Sequence, residues 1–367
     1  MGKTGRLLIT AAVCAAVVAA FACKRLDEAE KPLDELQFLT ADEAAQRPLY
    51  NKLTDEQKAD YTAVYRGICG FQQEIELPHR LKGPEYAMLY KLIEKQESEL
   101  FYLDSTYYIA EEMKKAKIAY REDSPELCGE MKKELDEKVR GIIAGAPAGD
   151  DFAKALYIHD YIIKNCNYNL EERRFSSTSY GCLVEGEALC EGYAKAFDLL
   201  AKELDLPSVL VTGVDDSNGN HAWNQVKING DWYNTDVTWD DMDSEQVMRH
   251  TYFLCSDSDF LLTHTADADD LLPYECTETK NNYYVKKDLF IRDSAEAERI
   301  IRKELASDSN PIELKFADNS LYQDFKNTYI DGEKIFEIMT ENLQESRSFT
   351  INVTDDAEEN CLSIWLK

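Results

Sequence analysis

Three residues, Cys190, His221 and Asp236, have the side-chain types that nucleophilic catalysis needs. Cys190 opens a predicted helix that runs through Leu204, and the partial positive charge at a helix N-terminus favours a thiolate. A thiolate attacks carbonyl carbon, and a histidine beside it completes an ion pair and returns a proton to the leaving group. A carboxylate on the far imidazole nitrogen fixes the tautomer of that histidine. The sequence therefore predicts a Cys–His–Asp triad.

The spacing of His221 and Asp236 supports this interpretation because it fits a β-hairpin. Two predicted strands, His221–Ile228 and Asp231–Thr238, are joined by Asn229-Gly230, which is a strong two-residue turn signal. In that register His221 and Asp236 are diagonal neighbours on one face, about 7–8 Å apart between backbones. A loop one residue longer or shorter would place them on opposite faces.

Three blocks of sequence surround these residues, namely Cys190–Ala194, Gly219–Asn224 and Trp232–Asp240. Together they resemble the transglutaminase-like core of the papain-like superfamily of cysteine enzymes, and they occur in the order of that family. The resemblance covers residues 150–265, and Tyr252 to His264 resembles the segment that follows the core in exported bacterial members. It implies that Cys190 is the nucleophile, His221 the base and Asp236 the orienting acid.

The resemblance implies an enzyme that acts on amide or peptide carbonyls through a thioester acyl-enzyme. An amine would complete acyl transfer and water would complete hydrolysis, and the sequence leaves both outcomes open because they share the acyl-enzyme. The alternative is a non-catalytic cell-surface binding module that reuses the fold. The expected partner is a protein or peptide substrate, such as a cell-surface or cell-wall peptide, and the oligomeric state stays open.

Several further residues are candidates for supporting roles. An oxyanion needs hydrogen-bond donors, for which the backbone amide of Cys190 is one candidate and Tyr180 another. Trp223, Trp232 and Trp239 are expected in the core or in the wall of a dry pocket.

No cofactor or metal is expected from the sequence. The acidic residues Asp240, Asp241, Asp243 and Glu245 could offer oxygen ligands to calcium, but no glycine-shaped loop separates them, and a solvated surface is the interpretation we favour. His159 lies beside apolar residues on a predicted helix and is expected to pack in the core.

The N-terminus is predicted to be an export signal. Lys3 and Arg6 precede the apolar stretch Leu7–Ala22, which at 16 residues is shorter than the roughly 20 residues of a spanning helix. Ala20-Phe21-Ala22 is a small-x-small cleavage signal directly before Cys23. The pattern predicts a lipidated Cys23 and an extracytoplasmic protein held at the cell membrane by that lipid. The alternatives are cleavage without lipid and an uncleaved anchor.

The chain has ten cysteines, of which Cys14 lies in the predicted signal and Cys23 is the lipidation candidate. An oxidising exterior permits disulfides among the other eight. Cys166 and Cys182 flank one loop and are the candidate pair, whereas Cys190 must stay reduced to act as a nucleophile. The alternative is that most of these eight cysteines are buried free thiols.

The length of 367 residues predicts two or three domains, and the composition is that of a globular protein. A net charge of −29 argues against non-specific nucleic-acid binding, which needs a basic surface. The predicted fold class is α+β. The predicted organisation is a signal peptide at 1–22, a tether at 23–48, a mainly helical N-terminal domain at 49–146, a papain-like, transglutaminase-like core at 150–284 and a small α+β domain at 285–367.

Overall fold

The computed structural model describes residues 36–366 apart from residues 172, 242–247, 269–273, 308, 343–349 and 358. The predicted signal peptide, Cys23 and the first part of the tether lie outside these residues, as do Asp243 and Glu245. Within the described ranges, none of the helices combines the length and the apolar character that crossing a membrane requires.

Helices and strands both contribute to the structure, which is α+β as the sequence predicts. Among the described residues the helices are α1 (Ala41–Ala45), α2 (Pro48–Asn51), α3 (Asp55–Cys69), α4 (Gly83–Gln96), α5 (Pro125–Ala144), α6 (Asp151–Asn165), α7 (Cys190–Glu203), α8 (Val237–Asp240), α9 (Asp257–Phe260), α10 (Tyr283–Lys286), α11 (Ser294–Ala306), α12 (Asn319–Phe325) and α13 (Lys334–Asn342), with π-helical turns at Gly181–Glu185 and Lys326–Asp331. The strands are β1 (Glu74–Lys82), β2 (Leu103–Tyr107), β3 (Glu112–Tyr120), β4 (Asn167–Tyr168), β5 (Glu187–Ala188), β6 (Ser208–Asp215), β7 (Asn220–Ile228), β8 (Asp231–Thr235), β9 (His264–Ala266), β10 (Phe290–Ile291), β11 (Ile312–Phe316), β12 (Ile351–Asp356) and β13 (Cys361–Leu366).

One compact unit contains residues 53–90 and 106–119. Its helix α3 starts with the predicted capping box, in which the Thr54 hydroxyl accepts from the Gln57 amide and the Gln57 side chain accepts from the Thr54 amide. α3 packs against β1 so closely that a Cβ on Gly67 would lie 2.4 Å from the Ile75 side chain. The strand order of the sheet is β1-β3-β2.

Residues 49–146, predicted to form a mainly helical domain, contain this three-stranded sheet as well as helices α3 to α5. β3 has the sequence EMKKAKIAY, whose Glu, Met, Lys and Ala residues favour a helix when taken alone. β1 contains Pro78, which weakens the strand signal. The antiparallel pairing of the two strands overrides both local preferences. Residues 40–52, 91–105 and 120–367 belong to a second compact unit.

The second unit is built around an antiparallel sheet with the order β8-β7-β6-β9. Helix α7 packs on β6 and β7 through Ala194, which contacts Leu210 and Ala222. The side chain of Asn224 on β7 donates to the Ala194 carbonyl at 3.0 Å, so a buried hydrogen bond also joins helix and sheet. A Cβ on Gly192 would lie 2.4 Å from the Ser176 carbonyl, which explains a glycine in the first turn of α7.

The predicted hairpin register is confirmed, from Ile228 opposite Asp231 to Asn224 opposite Thr235. The predicted extension of the second strand to Thr238 is wrong, because β8 ends at Thr235. Asp236 is instead the N-cap of α8, and its side chain accepts from backbone amides of that helix.

The C-terminal part of the second unit has a sheet with the order β10-β11-β13-β12, covered by α11, α12 and α13. The predicted strand Ile312–Phe316 matches β11, and the predicted helix Ser294–Leu305 matches α11 to within one residue. Buried residues from these elements, such as Ile300 and Leu314, form one apolar core.

Residues 41–48, assigned to the tether from the sequence, are folded in the structure. They contribute α1 and the start of α2, and Arg47 between the two helices is 5% exposed. Its guanidinium binds both carboxylate oxygens of Glu97, at 2.6 and 2.7 Å, and Lys202 contacts the same carboxylate at 3.2 Å. The charged composition suggested a solvated linker, whereas the charge at Arg47 is neutralised inside the fold.

We predict that Arg47→Ala lowers the free energy of unfolding by about 3 kcal/mol, because removing one partner of a buried ion pair leaves the other charge uncompensated. The expected value lies at the low end of the usual range because Lys202 still contacts Glu97. Denaturant unfolding of the full chain, followed by far-UV circular dichroism, measures the change.

The matched control is Lys132→Ala, which removes a solvent-exposed i,i+4 pair with Asp136 and should change stability by about 0.5 kcal/mol or less. If Arg47→Ala unfolds at the same denaturant concentration as the parent, the buried pair with Glu97 does not stabilise the fold.

Candidate active site

Cys190 is the first residue of α7, and its side chain is partly exposed. The preceding residue, Leu189, has an extended backbone and offers no side-chain cap to the helix. The first-turn amides therefore lack a capping side chain there, and the helix dipole favours negative charge on the sulfur. The predicted placement of Cys190 at a helix N-terminus is confirmed.

His221 lies near the start of β7, with its Nε2 atom 2.5 Å from Oδ2 of Asp236. Burial would lower the pKa of His221, but the Asp236 carboxylate and a hydrogen bond with the Cys190 thiol raise it to about 10. Since Nε2 faces the carboxylate, Nδ1 is the nitrogen that remains for the thiol. The structure thus brings together the three residues that the sequence singled out.

Asp236 has no exposed surface, and four donors surround its carboxylate. Oδ1 accepts from the amides of Thr238 and Trp239 at 2.9 and 3.1 Å, and Oδ2 faces the Nε2 atoms of His221 and His264. Burial would raise the pKa of Asp236, but the charge and hydrogen bonds of the two histidines hold it well below its usual value. The carboxylate is therefore ionised and fixed in orientation.

His264 is a part of the site to which the sequence analysis assigned no role. Its Nε2 atom lies 3.1 Å from Asp236, and its Nδ1 atom lies 2.9 Å from the Thr263 hydroxyl. The ring stacks on Phe260 at 4.0 Å and lies 4.5 Å from the Trp239 ring. The only sequence signal was the resemblance of the surrounding segment, because a lone buried histidine on a short strand has no spacing that reveals its partner.

Two of the three tryptophans, Trp223 and Trp239, lie at the site, and Trp232 lies elsewhere. The rings of Trp223 and Trp239 lie 6.3 and 5.8 Å from that of His221, so both surround the imidazole. Trp232 instead stacks on Tyr274 at 4.0 Å.

Tyr180 does not serve as the predicted oxyanion donor in this structure. Its hydroxyl donates to the Glu134 carboxylate at 2.7 Å, so its proton is already committed. The sequence does not determine the direction in which a tyrosine hydroxyl points.

The acidic residues after the hairpin do not form a solvated surface throughout. Asp240 has no exposed surface, accepts from the Tyr252 amide at 3.0 Å and lies 3.1 Å from Nε2 of His159. Asp241 accepts from the Tyr193 hydroxyl at 2.6 Å. His159 is buried as expected, but it takes part in a polar network instead of apolar packing alone.

The eight cysteines of the described residues are all free thiols. The predicted pair, Cys166 and Cys182, is therefore not bonded, although the two side chains are neighbours. Burial and a hydrogen bond with the Cys166 thiol raise the pKa of Cys182 well above its usual value.

A cavity of about 470 Å³ opens beside His221 and is also lined by Trp239, Tyr252 and Arg249. A second cavity, of about 430 Å³, lies in the other compact unit around Asp60 and has no cysteine in its wall. The first cavity is the one that adjoins groups able to perform nucleophilic chemistry.

Residues 138–237 match the family model of the transglutaminase-like superfamily, and this range contains Cys190, His221 and Asp236. Two solved structures are similar to the chain. One is a candidate cysteine protease from Cytophaga hutchinsonii, with 19% identity over 37% of this chain and 41% of that one and a TM-score of 0.28. The other is a TGase, with 13% identity over 45% of this chain and 51% of that one and a TM-score of 0.28.

The chain thus spans about two fifths to a half of the length of these solved chains. A search of curated proteins finds no significant match.

We predict that His221→Ala slows the alkylation of Cys190 by iodoacetamide at pH 7 by up to about 30-fold. His221 is the base that accepts the thiol proton, and an ordinary thiol without such a base, with a pKa of about 8.5, is only about 3% thiolate at pH 7. The rate in His221→Ala should recover as the pH rises through that range. Peptide-resolved mass spectrometry measures it.

Asp236→Ala should slow alkylation less than His221→Ala, since it only removes the group that holds the imidazole. The double variant should match His221→Ala, because no imidazole remains to be oriented. Cys190→Ala is the blank, and far-UV dichroism checks that every variant folds. Full reactivity of Asp236→Ala, or losses that simply multiply, would contradict the triad.

Proposed function

Residues 138–237 are a transglutaminase-like superfamily domain, and we propose from this that the protein is an exported, cysteine-dependent enzyme that acts on amide or peptide carbonyls. The observation that carries the proposal is the position of His221, which lies 2.5 Å from the buried Asp236 carboxylate and has its pKa raised by the nearby Cys190 thiol as well. This arrangement provides a nucleophile, a proton carrier and an orienting charge in one chain of contacts.

The first half of the reaction forms a thioester. The Cys190 sulfur attacks the carbonyl carbon, and the electron pair of the C=O bond moves onto oxygen, where the backbone amide at Cys190 is a candidate donor. His221 then donates its proton to the leaving amine as the C–N bond breaks. The raised pKa of His221, about 10, keeps that proton available at neutral pH.

The second half regenerates the enzyme. His221, now neutral, accepts a proton from an amine or a water molecule that attacks the thioester, and the C–S bond breaks to release the sulfur as a thiolate. Asp236 stays ionised throughout and stabilises the imidazolium on either side of the acyl-enzyme. An amine acceptor gives acyl transfer, and water gives hydrolysis.

The cavity beside His221 is the proposed site for part of the substrate. Its wall contains the carboxylates of Asp215, Asp241 and Asp356, against two cations, the protonated His221 and Arg249, which is paired with Asp356 at 3.1 Å. This charge favours a neutral or cationic group over an anionic one. Cys190 does not line the cavity, so the scissile carbonyl would reach the partly exposed sulfur from the protein surface.

The test is an activity screen in which the full chain is offered glutamine-containing peptides with and without a primary amine. Ammonia release together with amine incorporation identifies acyl transfer, and ammonia release or peptide cleavage without incorporation identifies hydrolysis. Cys190→Ala should be inactive, and Asp236→Ala should lose activity by a factor on the order of 10²–10⁴.

The control is a thiol-reactive electrophile on the same preparation. If Cys190 labels no faster than the exposed Cys69 and no peptide reacts, the enzyme proposal fails. A non-catalytic surface-binding module, the alternative function, would then be the better interpretation of the domain.

We also propose that the mature protein begins at Cys23 and carries a lipid, so that it is held at a membrane surface with cell-surface or cell-wall peptides within reach. The basis is the basic start, the short apolar stretch and the small residue before Cys23. Intact-mass measurement of protein from its native host should give a chain that starts at Cys23 with added lipid mass.

A mature mass that matches an unmodified Cys23 start would rule out the lipid but keep export. A chain that retains Met1 would rule out cleavage as well.

A further inference from the structure

A second cluster of histidines and carboxylates lies outside the proposed triad, and the function described above does not use it. It contains His159 and Asp160 on α6, Asp240 at the end of α8, His250, and Glu313 on β11. The two imidazoles are buried, and the Asp160 side chain is 25% exposed. We call this set the α6 cluster.

Each ring nitrogen of the α6 cluster faces a carboxylate oxygen. In His159, Nδ1 lies 3.1 Å from Asp160 and Nε2 lies 3.1 Å from Asp240. In His250, Nε2 lies 3.0 Å from the same Asp160 oxygen, Oδ1, and Nδ1 lies 2.8 Å from Glu313. Four contacts between acceptor oxygens and ring nitrogens need four protons, but two neutral imidazoles supply only two.

The group of His221, Asp236 and His264 differs in this respect. Only one ring nitrogen of His264 faces a carboxylate, because Nε2 lies 3.1 Å from Asp236 while Nδ1 lies 2.9 Å from the Thr263 hydroxyl. His221 has the Cys190 thiol as its second partner. In that group two of the four ring nitrogens face a carboxylate, whereas in the α6 cluster all four do, so the α6 cluster needs two additional positive charges, either two protons or one divalent cation.

We propose that the α6 cluster is a binding site for a divalent transition-metal ion of the Zn²⁺ type, with His159, His250 and Asp160 as ligands. The ion occupies the space between His159 Nδ1, His250 Nε2 and the Asp160 carboxylate, and it replaces the two extra protons without changing the net charge. Two imidazoles and one carboxylate are a ligand set that suits Zn²⁺ and its neighbours in the first transition series.

The spacing of the three donor atoms fits such an ion. Both imidazole nitrogens lie 3.0–3.1 Å from Asp160 Oδ1, and all three donors lie within 4.8 Å of one another. With Zn–N and Zn–O distances of about 2.0–2.1 Å, tetrahedral ligands lie about 3.3 Å apart, so each imidazole nitrogen needs to move only a few tenths of an ångström from Asp160 Oδ1. The exposed edge of Asp160 is the side from which water can reach the remaining coordination position.

Neighbouring groups already hold the two imidazoles in place. Asp240 accepts at the far nitrogen of His159 and Glu313 at the far nitrogen of His250, the arrangement that orients and polarises histidine ligands in metal sites. The His250 ring also stacks on Tyr283 at 3.8 Å with 8° between the planes. Since Glu313 is on β11, the ion would link α6 of the transglutaminase-like domain to the C-terminal sheet.

The test uses the full chain in a Cys190→Ala background, because the Cys190 thiol and His221 could themselves bind Zn²⁺. After chelator treatment and dialysis, isothermal titration with Zn²⁺ alone should show one tight equivalent, with a Kd in the micromolar range or below. Added Co²⁺ should give the d–d absorption of a tetrahedral nitrogen and oxygen site without a sulfur charge-transfer band.

Asp160→Asn should weaken Zn²⁺ binding by about 100-fold or more, and Glu313→Gln, which changes only an orienting group, should weaken it by about 10–100-fold. The matched control is His79→Gln, which removes a histidine paired with Asp60 in the other compact unit and should leave the affinity unchanged. Circular dichroism checks the fold of each variant. The Co²⁺ spectrum is measured on the parent protein, so it tests the site even if a variant does not fold.

Absence of a tight equivalent in the parent, a Co²⁺ spectrum with a sulfur band, or equal affinity in folded Asp160→Asn and parent protein would overturn the metal site. The α6 cluster would then be a metal-free network of imidazolium and carboxylate groups. None of these results bears on Cys190, so failure of the metal site and failure of the proposed enzyme activity are distinguishable.

Discussion

The buried carboxylate of Asp236 is the interaction on which the arrangement of this site depends. A carboxylate without exposed surface must find donors for its lone pairs, since burying an unpaired charge costs several kcal/mol. Two donors are backbone amides of α8 and two are imidazoles, His221 and His264. Asp236 therefore lies between β8 and α8, its side chain caps α8, and the same carboxylate fixes the orientation of the histidine beside Cys190.

The nucleophile is positioned by a separate set of constraints. Small buried side chains such as Ala194 and the hydrogen bond from Asn224 hold α7 against the sheet. Because Gly192 has no side chain, the first turn of α7 can lie close to the Ser176 carbonyl. Because the helix and the hairpin are each rigidly packed, the Cys190 thiol and the His221 ring meet without either lying on a long loop.

A single turn of helix joins this site to the α6 cluster. Asp236 is the N-cap of α8 and Asp240 is its last residue, so two buried carboxylates at the two ends of four helical residues each orient a histidine, His221 and His159 respectively. The second network continues through His250 to Glu313, and it thereby joins the transglutaminase-like domain to the C-terminal sheet. Polar contacts, as well as apolar packing, hold these two parts of the second unit together.

The sequence by itself determined the features that depend on local order and spacing. The helix start at Cys190, the turn at Asn229-Gly230 and the period-2 alternation of the hairpin are encoded within short stretches, so they predicted that Cys190, His221 and Asp236 belong together. Propensity failed for β3, because its helix-forming residues become a strand only through pairing with β1, which is distant along the chain.

Tertiary structure alone decided the partners of isolated polar residues. His264 lies 28 positions from Asp236, and His159 lies 81 positions from Asp240, so no local period relates them. The local sequence predicts that Arg47 lies in a charged linker, whereas in the fold its guanidinium forms a buried ion pair with Glu97. The partner of a buried charged group is the polar group that the packed elements place within about 3 Å of it. Which group that is depends on the tertiary fold and not on the local sequence.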